Sequence, residues 1–218
     1  MLRETLALMH KELLLEWRQR YALNGLLLYV LSMVVSVTTA FAGRIHPELW
    51  SALFWVMMLF VAVTSVARSF MAEQPGQMLY LYTLARPEAI VLAKILYYGL
   101  LLWLVSGVTL AVYAFLGEIP VASPLRMAGL LLGGGFALAS TLTLVSAIAS
   151  KAENRTTLLA VLSFPLLMPA LLTLIRLTQT ELRGLSGSSD ASGVLLLAGI
   201  SAALTGASVV LFPFVWRD

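Results

Sequence analysis

Residues 95–116 read ILYYGLLLWLVSGVTLAVYAFL, an unbroken apolar stretch without Asp, Glu, Lys or Arg. A helix needs about 20 such residues to cross a hydrocarbon layer roughly 30 Å thick. Turn chemistry follows at Gly117–Pro124, and then a second apolar block of similar length, Met127–Ala149. In lipid every backbone N–H and C=O must be bonded internally, and runs of this length achieve that only as helices. This pair of segments therefore predicts an all-α integral membrane protein.

Four more apolar stretches lie outward from this pair, at about Ala22–Ala42, Leu49–Ala67, Thr156–Ile175 and Val194–Val215. Breaks at Gly43–Pro47, Gln74–Gly76, Lys151–Arg155 and Gly184–Gly193 separate them. The reading is one transmembrane domain over residues 1–218, with six spans. Composition agrees: 60% of residues are hydrophobic, mean hydropathy is +0.93, and 11% are charged. A water-soluble domain carries about 25% charged residues. The net charge of +3 has no basic cluster behind it, so nucleic acid is not an expected partner. There are no cysteines, which excludes disulfides and thiolate metal sites.

Charge placement predicts the orientation. With the N-terminus cytoplasmic, ten of the fourteen Lys and Arg residues fall on inner segments, leaving Arg44, Arg126, Arg176 and Arg183 outside. That bias favours both termini inside. Ala40-Phe41-Ala42 resembles a signal-peptide cleavage site, but the preceding block is too long for a secretory core and follows Glu4, Glu12 and Glu16. An uncleaved anchor is expected.

Residues 1–20 form a different element. Leu2, Leu6, Met9, Leu13 and Trp17 recur at helical spacing, with Arg3, Lys11 and Arg18 off that stripe. This predicts an amphipathic helix on the cytoplasmic membrane surface, Trp17 at headgroup level and a bend at Asn24-Gly25. A cytoplasmic extension of the first span is the alternative.

The polar stretch Arg68–Glu88 separates the second and third spans. Pro75-Gly76 and Pro87 bracket Met78, Leu81, Tyr82 and Ala85, which sit at i, i+3, i+4 and i+7. A short amphipathic helix follows. It suits either a groove on a partner protein or the membrane surface, and spacing does not separate the two.

Catalytic patterns are missing. There is no G-x-x-x-x-G-K-[ST] phosphate loop and no H-E-x-x-H, and the histidines are His10 and His46 alone. The spans hold almost no carboxylates, unlike proton-coupled transporters. Enzyme activity is therefore not expected. His46, beside Pro47 in an outer turn, is a candidate haem ligand or an ordinary solvated histidine. Trp50 and Trp55 are candidates to flank a flat ligand, although the interfacial belt is the commoner place for a tryptophan such as Trp50. Gly129-x-x-x-Gly133, Gly133-Gly134-Gly135 and Gly199-x-x-x-Ala203 predict close helix packing, within the bundle or between two copies. Pro165 and Pro169 remove two helix hydrogen bonds on one face, so a bend is expected, with packing shape and a hinge as competing readings.

In order and spacing these features resemble the CcmB family, the permease subunit of the ABC-type haem exporter of cytochrome c maturation. The resemblance rests on Leu13-Leu-Leu-Glu-Trp-Arg18, on Arg68 and Phe70 leading to Gly76, and on Val91-Leu-Ala-Lys94. Pro165-x-x-x-Pro169 and Pro213-Phe214 add to it. It implies an ABC-2 type permease in a bacterial inner membrane, moving haem or driving its release to a chaperone. ATP would be hydrolysed by a separate CcmA-like ATPase, with CcmC-like membrane subunits nearby and a homodimer as a further candidate assembly. The short cytoplasmic helix becomes a coupling helix, with Glu73, Gly76, Met78, Leu81, Tyr82, Ala85 and Arg86 as its docking residues. No tightly bound cofactor is implied. A lipid or drug exporter of the same architecture and a non-transporting scaffold are the alternatives.

Overall fold

The computed structural model describes residues 2–18, 20–41, 45–71, 86–116, 123–150, 154–184 and 189–215. Among them are seven helices and no strand: α1 (Leu2–Arg18), α2 (Arg20–Ala40), α3 (Pro47–Met71), α4 (Pro87–Leu116), α5 (Pro124–Ala149), α6 (Arg155–Leu182) and α7 (Ser189–Val215). The last six are long and apolar enough to cross a membrane. Three begin on a proline, at Pro47, Pro87 and Pro124. Its fixed φ suits the first helical position, where the missing N–H has no partner to lose.

The helices outrun their apolar runs. α4 starts at Pro87, well before Ile95, and so carries Lys94 within it. α6 continues past Ile175 to Leu182, taking Thr178 and Glu181 with it. It stops at Gly184, whose φ of 65° is the left-handed value that favours glycine just past a helix end. Gly184 N–H donates to the Glu181 carbonyl at 3.1 Å, tightening that last turn. The bend expected at Asn24-Gly25 is absent: both residues lie inside α2, whose apolar sequence carries the helix across them.

α5 is the centre of the bundle, packing on α3, α4, α6 and α7. Of its span 78% of residues are buried, against 22% for α2 and 11% for α7, which therefore lie at the periphery. Lipid is as apolar as leucine, so association inside the membrane relies on packing and interhelical hydrogen bonds. The glycine run supplies the packing. A Cβ on Gly135 would lie 2.9 Å from the Gly99 carbonyl oxygen, so bare backbone is what lets α4 and α5 touch. A Cβ on Gly134 would fall 2.1 Å from the Trp55 ring. The helix runs unbroken through all three glycines. By contrast Gly199, Ala203 and Gly206 are exposed on α7, and a Cβ on Gly199 or Gly206 would meet nothing within 4 Å among the described residues.

Candidate functional site

α1 lies against the start of α4. Its two faces differ. Leu6 and Leu13 are exposed, free to meet lipid, whereas Met9 turns inward and packs on the main core. The expected stripe is therefore divided: Met9 belongs to the bundle. Trp17's side chain lies outside the described residues.

One helical turn beyond Met9, Glu12 Oε1 lies 3.8 Å from Lys94 Nζ and 3.4 Å from Lys11 Nζ. Lys94 is 1% exposed, with its charge facing α1 rather than water. Ionisable groups at such depth persist where a partner compensates them. This contact joins the surface helix to the first turns of α4, directly after the 72–85 segment. Arg86 is exposed there, and its carbonyl accepts from the Ala89 and Ile90 N–H groups at 3.0 and 3.3 Å, opening α4. The other docking residues, Glu73, Gly76, Met78, Leu81, Tyr82 and Ala85, lie outside the described residues.

At the opposite end, α3 and α6 run antiparallel and are pinned twice. Glu48, in the first turn of α3, pairs with Arg183 at the C-cap of α6. Deeper in, the Trp55 indole N–H donates to the Thr178 hydroxyl at 2.8 Å. His46 is exposed in the turn before α3, its carbonyl accepting from the Trp50 N–H at 2.9 Å. Trp50 does not face the interface: it is buried, stacked on Phe54 at 5.0 Å and edge-on to Tyr113 at 5.3 Å. Trp55 is buried edge-on to Phe54. Trp50, Phe54, Trp55 and Tyr113 thus form one buried aromatic cluster.

Beside these pins a cavity of about 700 Å³ opens between α5, α6 and α7. Arg126 and Glu181 mark its polar end, Gly129, Gly133 and Ala198 form its wall, and Phe136 lies deepest on α5. Glu181 is 3% exposed and accepts from the Ser123 backbone N–H at 3.0 Å, satisfying a free donor at the start of α5. Sequence reading missed Glu181 and Thr178, and it singled out Lys94 without its partner Glu12. The signal was present in the 3.6-residue period, since Leu171, Leu174, Thr178 and Glu181 continue one buried face.

Pro165 and Pro169 both sit on the exposed side of α6, away from the core. Among the described residues no cluster of His, Asp or Glu fit to hold a metal exists. The class is thus a six-span helical membrane protein with a surface helix, whose buried charges serve contacts between helices.

The chain belongs to the CcmB family: the family model, described as CcmB protein, matches residues 3–217. No protein of curated function and no solved structure matches it. Membership makes it a permease subunit of the haem-exporter type in cytochrome c maturation, a transport component and not itself a catalyst.

Proposed function

We propose that this chain is the membrane half of an ATP-driven complex in the bacterial inner membrane, with both termini cytoplasmic. A separate CcmA-like ATPase docks on the face built from α1 and residues 73–86, and CcmC-like subunits sit alongside in the bilayer. The cargo, moved or released to a chaperone, is haem.

The observation that carries this reading is the Glu12–Lys94 contact. It couples the surface helix to the start of α4, at the point where the 73–86 segment enters the bundle. A push on that segment would reach α4 and α1 together, and through α4 the central helix α5. Such levering of one rigid element against another is a known route from nucleotide state to helix movement. Pro165 and Pro169 are the candidate bend in α6, and the exposed Gly199 and Ala203 are a candidate face for a second copy.

The test is affinity purification from membranes of the wild type and of Leu81→Asp and Tyr82→Ala, with identification of co-purifying subunits and a haem spectrum. Loss of the ATPase subunit from both variants, with the chain still inserted, is the expected result. Retention of the ATPase with unchanged activity would favour a scaffold. An ATPase partner with no link to c-type cytochromes would favour a lipid or drug exporter.

A further inference from the structure

The cavity between α5, α6 and α7 has dimensions and chemistry of its own. On α5 it runs from Arg126 to Phe136, and on α7 from Ala191 to Ser201. Ten residues of helix rise about 15 Å at 1.5 Å each. That is about half of a hydrocarbon core roughly 30 Å thick, the depth of one leaflet. Gly129, Val194 and Ala198 are exposed along it, so the groove opens sideways, toward where lipid would lie. It occupies the leaflet opposite the start of α4, because α5 enters the bundle at the far end from where α4 begins.

Its mouth carries both signs of charge. Arg126 is exposed and makes no ion pair with any described residue, while the carboxylate of Glu181 is buried against the same space. Beyond them the lining is glycine, alanine and aliphatic side chains, with Phe136 and Ser201 at its far end. A purely anionic head would meet Arg126 but also the Glu181 carboxylate; a head bearing phosphate and ammonium satisfies both. The described lining has no His, Met, Tyr or Cys, and so none of the usual axial ligands of haem iron.

We propose that this cavity holds one zwitterionic phospholipid of the phosphatidylethanolamine type, its phosphate on Arg126, its ammonium toward Glu181 and one acyl chain along Gly129, Gly133 and Phe136. The site stands apart from the permease reading and from any docking at the other face. Its lipid acts as a wedge under α7, the least buried span.

The test is native mass spectrometry of the full chain from vesicles of equal phosphatidylethanolamine and phosphatidylglycerol, with Arg126→Gln and Ala198→Phe as variants. Ala198→Phe fills the groove without touching the charges or the Ser123 bond. The expected result is one retained phosphatidylethanolamine per wild-type chain, reduced at least fivefold in Arg126→Gln and Ala198→Phe. Equal retention in wild type and both variants overturns the proposal. So does preferential retention of phosphatidylglycerol, or a haem absorbance that depends on Arg126. If Ala198→Phe leaves lipid unchanged but, in purification from native membranes, loses a membrane subunit that the wild type retains, the groove seats a partner helix and the proposal fails.

Discussion

The indole N–H of Trp55 on α3 reaches the hydroxyl of Thr178 on α6 at 2.8 Å, joining positions 123 residues apart in the chain. Both side chains are essentially sealed from solvent, at 1% and 0% exposure. A tryptophan buried at mid-bundle needs somewhere to place its one donor, and Thr178 supplies it. The bond also fixes which face of α6 meets α3.

That bond is measurable. Interhelical hydrogen bonds in lipid are worth about 0.6 kcal/mol on average and up to about 1.7. A cycle of Trp55→Phe, Thr178→Val and the double variant, read by unfolding in mixed micelles, should give a coupling within that range. A coupling of zero would show that ring packing alone holds Trp55.

Gly134 makes room for the same ring. Adding a methyl group at 2.1 Å from Trp55 forces the indole or α5 to move. Gly134→Ala should therefore destabilise by about 1–3 kcal/mol, the usual range for overpacking. Gly206→Ala has nothing within 4 Å of the new methyl and serves as the control. Equal melting temperatures for the two variants would contradict the close fit.

The Glu12–Lys94 pair should show the asymmetry of a partly buried charge contact. Glu12→Gln leaves the Lys94 charge with less compensation. Its cost should fall between the ~1 kcal/mol of an exposed pair and the ~3–5 kcal/mol of a broken buried one. The double variant with Lys94→Met should recover part of the loss. Hydrogen exchange over residues 2–18 reports it: faster exchange in Glu12→Gln than in the double variant is expected. Identical protection in all three chains would sever α1 from α4.

The prolines of α6 allow a separation of fold from movement. Proline in a helix interior costs about 3 kcal/mol through its missing N–H and its ring. Pro165→Ala and Pro169→Ala restore donors to the Val161 and Pro165 carbonyls, on the exposed side of α6. Thermal stability in detergent should rise in both. If turnover of the complex falls as stability rises, the bend serves motion; unchanged turnover would reduce it to shape.

How much of this was legible beforehand follows from what hydropathy measures. Six crossings could be counted because each apolar run reaches membrane thickness, and breaks of Gly, Pro or charged residues separate them. The run length falters wherever a polar residue is buried against protein. Arg176 ends the apolar reading of α6, yet the helix continues through Thr178 and Glu181, whose partners Trp55 and Ser123 come from other elements. Lys94 reads as a loop charge until Glu12 is placed beside it. Met9 looks like one member of a lipid-facing stripe, but it packs on the core of the bundle. In each case the missing information was the identity of a neighbour distant in sequence. The small-residue motifs show the same limit, since Gly135 and Gly199 look alike in sequence while one meets backbone and the other meets nothing.

The central position of α5 bears on how the protein is made. Helices enter the bilayer in chain order, and the one that the others pack around is the fourth to cross. Until Pro124–Ala149 has been synthesised, α2, α3 and α4 must wait with Gly99 and the Trp55 ring facing lipid or the insertion machinery. Nascent chains arrested after Leu116 should therefore stay protease-sensitive and chaperone-bound, and those arrested well past Ala149 should not. Assembly of this bundle is a late event, decided by its middle and not by its beginning.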